Sequence, residues 1–367
     1  MRSEPVIPVR KRVQTIKHRS KLGAAPGTLV SHSDLAEHKM QINVMAYNED
    51  TLVNEVVNNP EDLPAYLKKY PLTWVQVTGL GDIEALHKIT QIFKLNALAM
   101  EDVVNVHQRS KLEAYEDRFF AISRIPEMVD DQLFLQQLSI FWDKSFVITF
   151  QERPSNCFTH LIARIEHGGK RERLMRAQYL AYAMIDTVVD CYFPILDEYG
   201  ITLDSLEDNA IDNPSTWVIR HIHDLKHDLN AIRRSIWSQR DAIGSFKAMV
   251  EADKDLWFYL RDCEDHTIQL LDIVESYRDR SSGLMDIYLA SVNNRTNKIV
   301  KQLTMIATFF MPIGVFAGIY GMNFDRSHPL NMPELSWPFG YIYFWCIVVV
   351  FATIMISWFY RKGWFKR

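Results

Sequence analysis

Charge is missing from two long stretches of this 367-residue chain. Between Lys301 and Asp325 lie 23 residues without an Asp, Glu, Lys or Arg, and between Glu334 and Arg361 lie 26 more. A helix spans a bilayer with about 20 predominantly apolar residues, so both runs predict transmembrane helices. The alternative is a pair of buried core helices, which seldom run so long without charge. Chain-wide averages conceal these runs: 23% of residues are charged, the mean hydropathy is −0.13 and the net charge is −4. Proline is absent from Ser215 to Met311, a stretch of 97 residues whose only glycines are Gly244 and Gly283. So few breakers argue against a succession of turns and for long helices. The four cysteines (Cys157, Cys191, Cys263, Cys346) form no Cys-x-x-Cys pair, which leaves no basis for a disulfide framework or a zinc knuckle. No glycine loop suits a phosphate and no nucleophile stands beside a base, so neither an enzyme nor a nucleotide partner is expected. Nucleic acid is not an expected partner either. The first 21 residues hold seven Lys or Arg against one Glu and lack an apolar core. They read as a flexible basic arm rather than a signal peptide, with anionic lipid as a weaker reading.

What is present divides along the chain. From Met40 to about Gln151 the pattern is mixed. Strand-like runs fall at Ile42–Tyr47, Thr73–Val77, Phe119–Ile125, Leu138–Trp142 and Phe146–Phe150, with helix-like segments such as Asp82–Phe93 between them. Asp143-Lys144 predicts a hairpin turn between the last two strands. Trp217–Lys247 carries Ile219, Ile222, Leu225, Leu229, Ile232 and Ile236 at helical spacing. A second helix is expected to start near Asp253 and run into the first apolar stretch, a rod of roughly 90 Å at ~1.5 Å per residue. The fold class is thus an α+β domain, a sheet packed with helices, joined by a very long stalk helix to two C-terminal transmembrane helices. The expected divisions are a basic arm (1–40), a cytoplasmic α/β domain with a helical hairpin (41–247), the stalk (248–301), the first span (302–323), an outer loop (324–340), the second span (341–360) and a basic tail (361–367). Arg295, Lys298 and Lys301 precede the first span, and Arg361, Lys362, Lys366 and Arg367 follow the second. The positive-inside rule then places both termini in the cytoplasm. A lone span makes no pore and a lone amphipathic helix cannot bury its stripe, so a symmetric ring of identical chains is expected.

At the exit of the first span stands Tyr320-Gly321-Met322-Asn323-Phe324. The tripeptide alone reads equally as a helix C-cap followed by a turn. At the end of a span, followed by a short polar loop and a second span, it resembles the CorA family of magnesium/cobalt channels. Two further stretches share that resemblance: Met100-Glu101-Asp102-Val103-Val104-Asn105-Val106-His107-Gln108-Arg109 and Arg261-Asp262-Cys263-Glu264-Asp265-His266-Thr267-Ile268. The resemblance implies a funnel-shaped homopentamer in a bilayer, in a bacterial or archaeal inner or plasma membrane. Gly321, Met322 and Asn323 would form its selectivity filter. Magnesium dehydrates reluctantly, so neutral acceptors such as Asn323 side chains and Gly321 carbonyls suit a hydrated ion.

Asp286 and Asn297, 11 residues apart, lie on nearly one helix face and would form polar rings along the axis. Leu303 and Met311 would form apolar gates. Gly314 departs from the hydroxyl residue of better-known members, and Pro312 is expected to kink the span. The resemblance also implies regulatory Mg2+ between neighbouring subunits, at Asp102 with Asp262 of the next chain and at Glu101, Asp186 and His266. Carboxylates at ~4 Å repel by about 4 kcal/mol at an effective dielectric of about 20, and a divalent cation would remove that repulsion. Taken without the resemblance, the same acids read as ordinary surface charges. His223 and His227 are i,i+4 but lack a third ligand and an intervening Glu, and His221 adds none.

The function expected is inward flow of Mg2+, with Co2+ and Ni2+ as surrogates, closed by cytoplasmic Mg2+. A zinc or other transition-metal transporter of the same superfamily is the nearer alternative, and a non-conducting membrane-anchored coiled-coil scaffold the more distant one.

Overall fold

A computed structural model describes residues 29, 39–167, 176–323 and 331–364. Most of the basic arm, Phe324 with the first part of the outer loop (324–330), and residues 365–367 of the tail lie outside the described residues. The chain divides into two compact units, with the division between Met285 and Asp286.

The first unit is built on a sheet of β1 (Gln41–Tyr47), β2 (Leu52–Val57), β3 (Leu72–Thr78), β4 (Lys111–Tyr115), β5 (Arg118–Val129), β6 (Gln132–Trp142) and β7 (Phe146–Gln151), in the order β2-β1-β3-β7-β6-β5-β4. All neighbours are antiparallel except β3 and β7. β5 and β6 are longer than their apolar centres suggest. They meet at Asp130-Asp131, where both residues have positive φ (50° and 58°), as a two-residue turn matched to strand twist requires. In the following hairpin, Asp143 Oδ1 accepts the Ser145 and Phe146 N–H groups at 2.6 and 3.1 Å, which closes the expected turn.

One face of the sheet packs on α1 (Leu63–Lys69), α2 (Ile83–Phe93) and α3 (Ala97–Val104) through Val44, Val75, Ile148, Leu86, Ile89 and Val103. The other face meets α4 (Thr159–His167), α5 (Ala177–Asp190), α6 (Tyr192–Asp212) and α7 (Thr216–Met249). There Trp74 stands edge-on to Phe158, and Trp142 contacts Phe246 at a 5.3 Å centroid distance. Two tyrosine hydroxyls buried on this face are paired. The Tyr192 hydroxyl bonds the Arg124 carbonyl and Ser235, and the Tyr199 hydroxyl donates to Asp228.

The proline-free stretch forms two helices, α7 and the 67-residue α8 (Lys254–Tyr320), each starting within a residue of its expected position. The early turns of α8 are tied to α6 and α7 by charge. Arg280 donates to Asp204 and Glu207 at 2.6 and 3.3 Å, Arg233 pairs with Glu275, and Lys247 pairs with Glu264. Pro312 sits inside α8 without interrupting it.

In the second unit, the end of α8 faces α9 (Gly340–Arg361) through Phe316–Phe351 and Tyr320–Phe344 ring contacts. Both segments are long and apolar enough to cross a membrane, and both leave nearly all of that apolar surface exposed.

Candidate functional site

The Gly-Met-Asn motif closes α8. Gly321 N–H donates to the Ala317 carbonyl at 2.9 Å and Met322 N–H to the Ile319 carbonyl at 3.1 Å, so the last turn tightens as it ends. A Cβ on residue 321 would stand 3.2 Å from the Ala317 oxygen, so a side chain there would need the last turn to give by a few tenths of an ångström. The Tyr320 hydroxyl donates to Glu334 at 3.1 Å, tying the helix end to the segment before α9. Gly340 has a similar role: a Cβ there would collide with the Glu334 carbonyl. Gly321, Met322 and Asn323 are all exposed, so one chain leaves the motif's acceptors available.

Along α8, Asp286, Asn297, Leu303 and Met311 are exposed as well. At ~100° per residue on a straight helix, Asp286, Asn297 and Met311 fall within about 20° of one line. Leu303 lies roughly 100° away from it, and Thr304 is the residue that falls on it.

The acidic residues expected to sense metal occupy two places. Asn96 caps α3, accepting the Leu98 N–H at 2.8 Å, and so sets the helix that carries Glu101 and Asp102. Asp102 already has a cation in its own chain, Lys111, at 2.7 Å. Lys111 is shared with Glu113, also at 2.7 Å. Burial works to depress the Lys111 ammonium, but its bonds to Asp102 and Glu113 outweigh that and hold it above the usual lysine range. The same bond from Lys111, with one from Tyr115, outweighs burial at Glu113 and holds its carboxyl below the usual range.

The second place lies between α5 and α8. Burial, then the charge of Asp190, push the Asp186 carboxyl above the usual range, against the Cys263 thiol, His266 and the Tyr182 hydroxyl. Asp190 is raised chiefly by burial and stands 3.8 Å from His266 Nδ1. The structure therefore brings Asp186 and His266 together, with Asp262 on the neighbouring turn. Among the described residues, no group of three or more His, Cys, Asp or Glu in a single chain could hold a metal ion. The expected set of Glu101, Asp186 and His266 is not closed by one copy.

Sequence reasoning missed Asp190, Lys111, Cys263 and Tyr182. Asp190 follows Asp186 by one helical turn and was detectable from spacing. Lys111 reaches Asp102 only through the turn into β4, which spacing does not announce. The histidines do not assemble: His221 stacks on Trp217, while His223 and His227 lie 3.9 and 3.7 Å from their own neighbours Asp224 and Asp228.

Residues 71–362 match the family described as CorA-like Mg2+ transporter protein. The chain is 36% identical over 349 residues to the cobalt/magnesium transport protein CorA of Thermotoga maritima, a match covering 94% of this chain and 98% of that protein. It is 25% identical over 300 residues to the protein of the same name from Methanocaldococcus jannaschii, covering 80% and 92% respectively. The complete structure of the CorA magnesium transporter from Methanocaldococcus jannaschii superposes with a TM-score of 0.70 at 23% identity, over 88% of this chain and 98% of that one, which shows a shared fold. On the family match and the 36% identity, this chain belongs to the CorA-like Mg2+ transporter family, a family of membrane transporters and not of enzymes.

Proposed function

We propose that this chain assembles as a symmetric ring of five in a membrane and conducts Mg2+, with Co2+ and Ni2+ as surrogates, down their electrochemical gradient. With two spans, α8 from residue 302 and α9, both termini lie on one side, and the Lys and Arg flanking the spans favour the cytoplasmic side. One observation carries the reading: a helix with a membrane-length apolar end that its own chain leaves uncovered, closed by an exposed Gly321-Met322-Asn323 turn. Apolar surface of that extent calls for lipid or further copies of the chain. Asn323 amide oxygens and Gly321 carbonyls from five copies form a neutral ring that receives a hydrated divalent ion without stripping its waters. Asp286 and Asn297 continue the polar path and Met311 narrows it, with Leu303 at its edge, about 100° from the line of the other three. The membrane potential supplies about 2.3 kcal/mol per charge per 100 mV, twice that for a divalent ion.

Cytoplasmic Mg2+ closes the channel by bridging Asp102 of one copy to Asp262 of the next, with Glu101, Asp186 and His266 as a second set. Asp186 and Asp190 are both held above the ordinary carboxylate range, chiefly by burial, and a divalent cation beside them would favour their charged forms. Lys111 competes with metal for Asp102.

The test is ion flux into liposomes holding the purified protein. Wild type takes up Mg2+ and Co2+, and Asn323→Ala falls to the level of empty liposomes while its oligomer remains intact on size exclusion. Normal Mg2+ uptake by Asn323→Ala would remove the filter from this motif. Zn2+ uptake that excess Mg2+ does not inhibit would favour a transition-metal transporter, and no uptake of any ion a scaffold.

A further inference from the structure

Cys157 and Cys191 are 34 residues apart, yet their Sγ atoms lie 3.0 Å from one another as free thiols. Cys157 sits between β7 and α4, and Cys191 is the single residue between α5 and α6. The last turn of α5 fixes both sulfurs. The Thr187 carbonyl accepts the Cys191 N–H at 3.1 Å and lies 3.9 Å from the Cys157 sulfur. On the other side, Cys157 N–H donates to Ser155 Oγ at 3.1 Å, and Phe158 is anchored edge-on against Trp74. Both cysteines are half-buried, open to a small oxidant and held by their surroundings. Neither takes part in the conduction path or in the carboxylate sets described above.

We propose that Cys157 and Cys191 form a reversible disulfide on exposure to a hydroperoxide. The two sulfurs already touch, so a sulfenic acid formed on Cys191 has the Cys157 sulfur as its immediate neighbour. The Cys191 thiolate attacks a peroxide oxygen, an S–O bond forms, the O–O bond breaks, and the departing hydroxide leaves as water with a proton. The Cys157 sulfur then attacks the resulting sulfenic sulfur. The S–S bond forms, the S–O bond breaks, and the Cys157 proton leaves with a second water. Two thiols lose two electrons and one peroxide becomes two waters; a dithiol reverses the exchange. In a reducing compartment, where the proposed topology puts this unit, such a bond is transient and reports oxidant. The bond would join the β7–α4 turn to the α5–α6 junction, next to Asp190 and about one turn from Asp186.

The test uses the reduced full-length protein in detergent, treated with hydrogen peroxide, alkylated, digested without reductant and mapped by mass spectrometry. The expected result is a peptide pair joined at 157 and 191, lighter by two hydrogens and released by dithiothreitol, with Cys263 and Cys346 still alkylated. Amide exchange across 187–192 slows several-fold on oxidation in wild type and is unchanged in Cys157→Ser, which shares the native oligomer. Exposed Met322 reports the oxidant dose. Full alkylation of both cysteines at a dose that oxidises Met322 would overturn the proposal. So would Cys191 over-oxidised without a link, or a link only between chains.

Discussion

Ala177–Asp212, which comprises α5 and α6, and Gly340–Arg361, which is α9, are both apolar enough over a membrane length to cross a bilayer. Their surroundings differ. In the first, 61% of the most apolar stretch is buried by its own chain; in the second, 11% is, and in the matching stretch of α8, none. The buried pair carries polar groups and satisfies them, through Tyr192 with Arg124 and Ser235 and through Tyr199 with Asp228. The tyrosines and the one charge of α9 stand near its ends, Tyr341 and Tyr343 at one and Tyr360 and Arg361 at the other, as in an interfacial belt, while mid-helix Thr353 donates to its own Val349 carbonyl at 2.7 Å. Apolarity says that a surface leaves water; the polar groups beside it, and what covers them, say what replaces the water.

Truncation in the buried region should have the largest effect. Leu203 in α6 is fully buried, so Leu203→Ala is expected to cost about 2–5 kcal/mol, seen as a lowered thermal midpoint of the purified protein. Val349→Ala, at an exposed position of α9, should cost less than ~1 kcal/mol in the same assay. Equal losses would mean that α9 is packed by protein, not lipid.

Charge reverses the order. Ile201 is 72% exposed on α6 and Ile354 60% exposed on α9. Ile201→Lys faces water and should change stability by no more than about 0.5 kcal/mol. Ile354→Lys faces lipid and should cost roughly 3 kcal/mol of insertion free energy, read as reduced membrane yield. Comparable yields for the two variants would contradict a lipid environment for α9.

Acid should weaken the metal-dependent state. Asp186 and Asp190 have folded pKa values above their unfolded ones, so their charged forms destabilise the fold at neutral pH. That penalty fades as pH falls through the raised folded values and is gone below the ordinary carboxylate range. Protons therefore compete with a cation here. The Mg2+ concentration giving half-maximal protease protection should rise as pH drops from 7 towards 5, by at most about tenfold per pH unit below the raised values. Asp186→Asn should flatten the dependence. A pH-independent requirement in wild type would exclude these carboxylates as ligands.

The smallest effect concerns Lys111. Its pair with Asp102 is partly exposed and worth about 0–1 kcal/mol, so Lys111→Met should lower the Mg2+ requirement by up to roughly fivefold. An increased requirement would show that Lys111 orients Asp102 for metal instead of competing for it.

The central strands, α2, the long helices and the motif at the end of α8 were legible because each has a local signature: an apolar run, helical periodicity or a missing breaker. β2 and β4 were not. Both are edge strands, and polar residues such as Asn54, Glu55, Lys111 and Glu113 interrupt the alternation that marks a half-buried strand. The acidic stretches were legible as sequence, but their partners were not. Lys111, Asp190 and the Cys157–Cys191 contact depend on how α3, α5 and the β7–α4 turn come to rest. The line through Asp286, Asn297 and Met311 follows from an unbroken α8; it passes through Thr304 and leaves Leu303 about 100° away.

Thiol accessibility along that line tests the conduction path most directly. Single cysteines at Val292, Asn297, Leu303, Thr304 and Met311, in a chain whose four native cysteines are replaced and which still conducts Mg2+, are exposed to a membrane-impermeant hydrophilic thiol reagent. The account predicts that modification at Asn297, Thr304 and Met311 blocks flux and that these positions cross-link between copies. Val292, five residues and about 500° before Asn297, should do neither, and Leu303 should react more slowly than Thr304. Protection of Asn297 and Met311 in protein that conducts, with Val292 reactive, would contradict it.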